Sequence, residues 1–256
     1  MTVPGLRVAT WNVHSCIGTD GRHSPDRVRR LTRSMEADIV ALQEVDSRPE
    51  GPDSFEELSR ALGPANADCR TIRTPDGDYG HMLLSRWPIR KWKIRDISVP
   101  GREPRSVIDA IIEAEHGSVR ALATHLGLSR RERSRQVEMI SRLLDASEVP
   151  TILLGDFNEA TRFGPASRAF GHRLASAGLR RTFPSRRPLL PLDRIWFSAP
   201  MGVERSWTPR QMRQASDHLP LVADLRYGHR GPTDAGEPGI TASTRTDPVG
   251  TATEPK

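Results

Sequence analysis

The chain has 256 residues, with 38 basic and 32 acidic side chains and a formal net charge of +6. Hydrophobic residues make up 36% of it and charged residues 27%, which excludes a collagen, a coiled coil and a wholly disordered chain. This length suffices for one large domain, or two small ones, with a sizeable core. All basic residues except Lys91, Lys93 and Lys256 are arginines, and the surplus of positive charge indicates an anionic partner.

The expected cellular compartment rests on the absence of membrane-spanning, secretory and disulfide signals in the sequence. No apolar run approaches the ~20 residues that cross a bilayer, and the N-terminus has neither the basic nor the apolar region of a secretory signal peptide. Cys16 and Cys69 are too few for a disulfide framework. We therefore expect a cytoplasmic monomer with two free thiols, and peripheral contact with a membrane remains compatible with the sequence.

The composition changes sharply after Tyr227. Residues 228–256 are rich in Gly, Pro, Thr, Ser and Ala and contain no aromatic side chain. Such a segment cannot bury enough apolar surface to offset the entropy of ordering it. We predict a catalytic domain over residues 1–227 and a disordered tail over 228–256. The tail carries three basic and four acidic residues, so its charge is −1 and that of the domain is +7.

Short apolar runs alternate with helical patterns throughout the predicted domain. Runs rich in Val, Ile and Leu, bounded by turn residues, predict strands at 6–13, 39–43, 81–85, 107–114, 119–125, 151–154, 194–197 and 219–225. Apolar residues spaced by three and four predict helices at 25–36 and 129–146, Ser54 and Glu57 match a capping box that predicts one at 54–62, and we expect a further helix at 165–177. Because strands outnumber helices, we predict an α/β fold with more than one sheet or one large mixed sheet.

Polar side chains stand at the ends of most predicted strands. Taken singly, each has an ordinary explanation: a solvated Glu, a Gly-Asp turn, a helix cap or a core histidine. Together they recur at six strand ends, where catalytic groups of enzymes concentrate. The candidate residues are Asn12, Glu44, His125, Asp156, Asn158, Asp193, Asp217 and His218, and His14 stands beside Asn12 at the end of the first strand.

The oxygen-bearing members of this set predict a metal site. Carboxylate and amide oxygens suit Mg²⁺ or Mn²⁺, whereas zinc prefers Cys and His. The candidate ligands are Asn12, Glu44, Asp156, Asn158 and Asp217. His125 and His218 add groups for acid–base chemistry and charge stabilisation. This inventory is typical of a metal-assisted phosphoester hydrolase.

Six short motifs also occur in the order of a known superfamily. They are TWNV (10–13), LQEV (42–45), THL (124–126), GDFN (155–158), LDRI (192–195) and SDHLPL (216–221). In these the chain resembles the endonuclease/exonuclease/phosphatase superfamily, which includes deoxyribonucleases, AP endonucleases, neutral sphingomyelinases and inositol-polyphosphate 5-phosphatases. The resemblance implies a four-layer α/β sandwich, with two mixed β-sheets face to face, helices outside and the active site at one edge.

The resemblance also implies the roles of the metal-binding residues. Glu44 would be the principal ligand of Mg²⁺, with Asn12 beside it. Asp217 would assist the metal or its water shell. The number of metal ions stays open.

For the reaction itself, the resemblance implies in-line attack of water on phosphorus. Asp156 would orient or deprotonate the water, and Asn158 would position the water and the phosphate. His218, paired with Asp193, would contact the scissile phosphate. His125 would donate a hydrogen bond to a phosphate oxygen. Either Asp156 or His218 remains a candidate for the general base.

Two features narrow the branch of the superfamily. AP endonucleases commonly have a tyrosine where this chain has His125, so abasic-site repair is disfavoured. Residues 12–22 resemble a bacterial subgroup of unassigned substrate, which is also similar to a domain of a eukaryotic lipid-remodelling protein. This similarity keeps phospholipid-type phosphodiesters among the candidate substrates.

Arginines cluster in three segments near the motifs. Either they lie on solvated faces, or they contact phosphates flanking the metal site, a use for which the planar guanidinium is suited. The clusters are Arg130, Arg131, Arg133 and Arg135; Arg180, Arg181, Arg186 and Arg187; and Arg102 and Arg105.

The sequence thus favours a Mg²⁺-dependent hydrolase, with Mn²⁺ as a substitute, that cleaves phosphodiesters in nucleic acid or phospholipid. One alternative is a phosphomonoesterase acting on a soluble phosphorylated metabolite. Another is a non-catalytic binder of the same fold, which is disfavoured because no motif position is degraded.

Overall fold

The computed structural model describes residues 5–47, 53–145 and 149–227. The strands are β1 (Gly5–Asn12), β2 (Ile39–Ser47), β3 (Ala65–Thr74), β4 (Gly77–Ser85), β5 (Ile89–Asp96), β6 (Ser106–Ala114), β7 (Gly117–His125), β8 (Thr151–Asp156), β9 (Ala175–Ser176), β10 (Asp193–Phe197), β11 (Met201–Trp207) and β12 (Leu221–Tyr227). The helices are α1 (Pro25–Ser34), α2 (Ser54–Ser59), α3 (Arg130–Leu144) and α4 (Pro165–Phe170). The predicted tail over 228–256 lies outside the described residues.

The strands form two mixed sheets of six strands each. The first has the order β11-β12-β1-β2-β4-β3, and the second has the order β5-β6-β7-β8-β10-β9. In the first sheet β1 and β2 are parallel, and in the second β7 and β8 are parallel, while the neighbouring pairs are antiparallel. Each parallel pair is joined by a helix, because parallel strands need a crossover connection.

Three apolar clusters divide the molecule into layers. One lies between the sheets and combines residues such as Val8 and Leu83 with Ala121 and Leu154. A second lies outside the first sheet and includes Val28 of α1 and others from α2. The third lies outside the second sheet, beneath α3 and α4. The prediction of a four-layer α/β sandwich is therefore confirmed.

The eight predicted strands are confirmed, and four strands that the sequence did not indicate complete the sheets. Strands β3, β5, β9 and β11 each lie at a sheet edge. Edge strands are half solvated, so their sequences need no run of apolar residues. Strand β5, for example, has the sequence IRKWKIRD and is largely exposed.

The predicted helix over 165–177 is wrong beyond Phe170. The chain leaves the helix at Gly171, and residues Ala175–Ser176 form β9 against β10. Pairing with the edge of the second sheet therefore prevails over the local helical pattern. Within the described residues, Cys16 and Cys69 are free thiols, both buried, and no helix is long and apolar enough to cross a bilayer.

A buried ion pair joins the second sheet to α3. Arg120 donates to both carboxylate oxygens of Asp109, at 2.8 and 2.9 Å, and to the carbonyl of Leu143 at 2.9 Å. Burial favours the neutral acid, but Arg120 and Arg95 outweigh it and lower the pKa of Asp109. The pair therefore contributes stability above the ordinary pKa of an aspartate, and that contribution is lost as the pH falls through the lowered value.

We expect Asp109→Asn to lower the free energy of unfolding by about 3 kcal/mol at neutral pH, because it leaves the Arg120 cation buried without its partner. Urea denaturation at neutral and acidic pH would measure the change, and the difference from the native protein should shrink in acid. The matched control is Glu138→Gln, which breaks an exposed pair with Arg142. An exposed pair contributes about 0.5 kcal/mol, so equal losses in both variants would contradict the prediction.

Candidate active site

Asn12, the last residue of β1, meets Glu44 of the parallel strand β2, which continues past the predicted end at residue 43 to Ser47. Glu44 lies where the β2–β4 register shifts, and its φ of 55° is in the left-handed region. Such a bulge turns a side chain away from its place in the pleat. The carboxylate of Glu44 thereby accepts from Asn12 Nδ2 at 2.7 Å. Burial opposes ionisation of Glu44, but His14, His125 and Asn12 outweigh it and lower its pKa to about 2.

In the second sheet, strand register places three predicted site residues side by side. His125 pairs with Asp156 across the parallel strands β7 and β8, and Asp156 pairs with Asp193 across β8 and β10. Gly155 allows the close approach of β8 to β7, because a Cβ at this position would lie 1.9 Å from the carbonyl oxygen of Thr124. The Gly in the GDFN motif is therefore a packing requirement of the site.

The turn after β8 fixes Asn158 beside these residues. Asn158 has a φ of 49°, and its backbone NH donates to Asp156 Oδ1 at 2.8 Å. Its Nδ2 donates to the carbonyl of Leu126 at 2.8 Å. A non-glycine residue in this region is uncommon and is found often at functional sites.

His218 is held from both its side chain and its backbone. Its Nδ1 lies 2.9 Å from Asp193 Oδ2. Its carbonyl accepts from Trp11 Nε1 at 3.0 Å, and its NH donates to Ser216 Oγ at 3.1 Å. Burial disfavours the imidazolium, but the charges of Asp193 and Asp156 outweigh burial and raise the pKa of His218 to about 10.

One carboxylate oxygen, Asp156 Oδ2, lies at the centre of the cluster. Asn12 Nδ2 donates to it at 3.0 Å from the first sheet. His125 Nε2 lies 3.7 Å from it, and His218 Nε2 lies 3.8 Å from it. The two histidines thus face the same acid with the same ring nitrogen, and the site joins both sheets.

Arg105 determines the tautomer of His125. Its Nη1 lies 2.8 Å from His125 Nδ1. Because a guanidinium only donates, Nδ1 is the acceptor and Nε2 carries the proton of the neutral ring. Burial and the charge of Arg105 lower the pKa of His125 to about 4. Asn158 Nδ2 lies 3.3 Å from His125 Nε2, so two donors stand side by side and neither accepts from the other.

The placement of Arg105 excludes one of the two sequence interpretations of its cluster. Its side chain is only 7% exposed, so it does not lie on a solvated face. Its contact with His125 is one that sequence reasoning missed. The only signal was its position just before β6, whose first residues pair with the end of β7.

Asp217 joins the cluster through His14. His14 Nδ1 lies 3.7 Å from Glu44 Oε2 and 3.7 Å from Asp217 Oδ2. These two carboxylates are partly open to solvent, whereas Asp156 and Asp193 are buried. His14, Ser15 and Cys16 all have positive φ, a tight turn that directs His14 back to the site. The sequence placed His14 at a strand end without assigning it to the site.

The donor set around Glu44 fits a hard divalent cation. Glu44, Asp156 and Asp217 supply carboxylate oxygens, and the exposed side of Glu44 leaves room for water and substrate, as Mg²⁺ requires. Asn12 directs its Nδ2 toward the carboxylates, and its oxygen accepts from the NH of His14 at 3.0 Å. Its observed contacts are therefore those of a donor that orients the acids.

A second group within the described residues also has metal-ligand spacing. One ligand atom from each of Asp156, Asp193 and His218 lies within 4.8 Å of the others. However, all three side chains are buried, and His218 already uses Nδ1 for Asp193. The arrangement is that of a carboxylate–histidine pair facing a second carboxylate, as in acid–base sites.

Comparisons with known proteins identify the family and the fold. The model of the Endonuclease/Exonuclease/phosphatase family matches residues 9–218. The protein YbhP of Escherichia coli strain K12 is 32% identical over 252 residues, covering 86% of this chain and 96% of YbhP.

Solved structures share the fold. An endonuclease/exonuclease/phosphatase from Beutenbergia cavernae DSM 12333 has a TM-score of 0.73 at 23% identity, covering 88% of this chain and 72% of that one. The mannosyl-6-phosphatase Bt3783 of Bacteroides thetaiotaomicron VPI-5482 has a TM-score of 0.70 at 17% identity, covering 87% and 100%. The family match over most of the domain shows that the chain belongs to the endonuclease/exonuclease/phosphatase family, and it is a phosphoester hydrolase.

Proposed function

We propose that the protein is a Mg²⁺-dependent phosphodiesterase, with Mn²⁺ as a substitute metal. The observation that carries this proposal is the approach of two histidine Nε2 atoms to Asp156 Oδ2, at 3.7 and 3.8 Å, beside the open carboxylate of Glu44. In this arrangement the carboxylate can activate a water molecule, and the cationic or donor groups on either side of it can stabilise the phosphate that the water attacks.

The metal would be held by Glu44, with Asp217 and Asp156 completing the oxygen donors. When bound, it supplies charge stabilisation to the phosphoryl oxygens. Asn12, by donating to both Glu44 and Asp156, would keep these carboxylates at a fixed separation. Asn12 is therefore proposed as an orienting group, which refines its expected role as a ligand.

The remaining residues act on the water and the phosphate. Asp156 accepts the proton of the attacking water, because its Oδ2 faces the centre of the site. His218, with Nδ1 bonded to Asp193, presents Nε2 to the scissile phosphate. His125 Nε2 and Asn158 Nδ2 form a pair of adjacent donors for one phosphate oxygen. Stabilisation by such fixed donors accounts for a large share of catalysis in many enzymes.

A substrate panel tests this function. The purified protein would receive supercoiled DNA, bis(p-nitrophenyl) phosphate, p-nitrophenyl phosphate and phospholipid vesicles, each with Mg²⁺, Mn²⁺ or EDTA. We expect hydrolysis of a diester that EDTA abolishes. Hydrolysis of the monoester alone would replace the proposal by a phosphomonoesterase, and no metal-dependent hydrolysis of any substrate would count against an enzyme.

The cellular setting is a part of the same proposal. We propose a cytoplasmic monomer, since buried free thiols at Cys16 and Cys69 are typical of a reducing compartment. Catalysis is assigned to residues 1–227 because all eight candidate site residues lie between Asn12 and His218.

A further inference from the structure

Three loops around the candidate active site expose large apolar side chains. Leu128 follows β7, Phe163 follows β8 and Leu189 precedes β10. They are 77%, 68% and 63% exposed, more than any other large hydrophobic residue in the described chain. We call them the apolar rim. Isolated exposed leucines are ordinary, but a group at one functional edge marks a surface that binds something.

Hydrogen bonds attach all three loops to the site. Leu126, two residues before Leu128, accepts from Asn158 Nδ2 at 2.8 Å. The buried guanidinium of Arg194 donates to the carbonyls of Glu159 and Pro191, and so joins the bases of the other two loops. Each rim loop is therefore attached to a segment that carries candidate site residues.

The hairpin that carries Leu189 also contacts a catalytic candidate. Phe183 lies in this hairpin, with its ring centroid 4.9 Å from that of His218. Its carbonyl accepts from the backbone of Leu189 and of Leu190, both at 2.8 Å. The exposed end of the hairpin is thus joined to His218 through Phe183, by backbone hydrogen bonds on one side and a ring contact on the other.

The first loop is equally constrained. Arg133 donates to the carbonyls of Gly127 and Leu128. Gly127 packs against Glu132 so closely that a Cβ would lie 1.9 Å from the carboxylate carbon. The loop is held in the conformation that points Leu128 into solvent, where no described residue buries it.

The exposed charged residues of the three loop segments that carry the rim are all positive. The exposed arginines of these segments are Arg130, Arg131, Arg162, Arg180, Arg181, Arg186 and Arg187. The acidic residues of the same segments, Glu132, Glu159 and Asp193, are buried. Apolar tips bordered by cations match the chemistry of an anionic bilayer, in which apolar side chains enter the acyl boundary and cations contact headgroups.

We propose that the apolar rim and its arginines dock the protein on an anionic phospholipid bilayer, with the active site toward the lipid phosphates. A nucleic acid fits less well, because single-stranded binding uses aromatic faces and two of the three rim residues are leucine. The inference rests on the proposed function in so far as the rim loops adjoin residues of a phosphodiesterase site. The inference goes beyond the proposed function because it names the membrane surface that would supply the substrate.

Vesicle sedimentation in EDTA tests the docking without turnover. The full chain would be mixed with vesicles of phosphatidylcholine alone or of equal parts phosphatidylcholine and phosphatidylglycerol. The variant L128S/F163S/L189S removes the rim. The matched control I94S/M139S/V203S removes three exposed apolar side chains on β5, α3 and β11. Thermal melting would check that both variants fold.

We expect binding to the mixed vesicles, reduced about tenfold or more in the rim variant and unchanged in the control, since affinity scales with buried apolar area. Equal binding by the rim variant and the native protein, or no vesicle binding at all, would overturn the inference. Loss of single-stranded DNA binding in the rim variant, without vesicle binding, would assign the surface to nucleic acid and also overturn it. Because this experiment measures no turnover, a failure of docking leaves the proposed hydrolysis to be tested separately by the substrate panel.

Discussion

Replacing His218 by glutamine is expected to lower kcat for phosphodiester hydrolysis by about 10³–10⁴-fold, because an amide supplies neither a mobile proton nor a cation at Nε2. Asp193 is fully buried and loses its charged partner in this variant. We therefore also expect a loss of stability of roughly 3 kcal/mol, as when one member of a buried pair is removed.

A double variant separates the chemical role from the structural one. In Asp193→Asn/His218→Gln, two neutral amides replace the ion pair, so neither position leaves an unpaired buried charge. Stability should recover most of the loss, while kcat stays as low as in the single variant. Thermal melting and steady-state kinetics on bis(p-nitrophenyl) phosphate would measure both. Recovery of activity together with stability would show that the pair is structural only, and a single variant with native kcat would remove His218 from the mechanism.

The kinetics should also distinguish contact with the phosphate from general damage. A group that acts mainly in the transition state changes kcat and kcat/KM by similar factors. A comparable loss in both, with KM nearly unchanged, is expected for His218. A rise in KM at constant kcat would assign it to ground-state binding of substrate.

Much of the fold and of the candidate site follows from local sequence. The site residues stand directly at strand ends, and two parallel pairs bring these ends together: β1 with β2, and β7 with β8. His125 and Asp156 become neighbours because the register pairs them. Their proximity therefore requires the strands and the crossover helix, both of which leave clear patterns in the sequence.

The features that sequence could not supply depend on long-range packing. Glu44 reaches the site through a bulge, which shifts the β2–β4 register and leaves no pattern of its own in the alternation of side chains. The edge strands carry polar residues on their solvated faces, so their sequences resemble loops. Arg105 is buried and contacts His125 of β7 and Tyr79 of β4, which are distant in sequence; an arginine in an arginine-rich chain gives no indication of this.

Arg105 provides the second large expected effect. Methionine matches its length and apolar stem but has no hydrogen to donate to His125 Nδ1. In Arg105→Met the neutral ring is free to carry its proton on Nδ1, and the pair of donors at His125 Nε2 and Asn158 Nδ2 is broken. We expect kcat to fall by about 10²-fold, the usual cost of removing one fixed donor to a developing oxyanion.

Because Arg105 acts through His125, its test needs a readout of the ring itself. ¹⁵N NMR of the histidine side chains reports which nitrogen carries the proton, and the signal of His125 should change from Nε2–H toward Nδ1–H in Arg105→Met. Arg105→Lys keeps a donor and should retain part of the native tautomer and activity. Arg102→Met, at an exposed arginine of the same cluster, is the matched control and should leave both unchanged. The contrary result is that His125 keeps its Nε2 proton in Arg105→Met while kcat and stability fall together. The groups on the Nε2 side of the ring would then set the tautomer, and Arg105 would contribute packing alone.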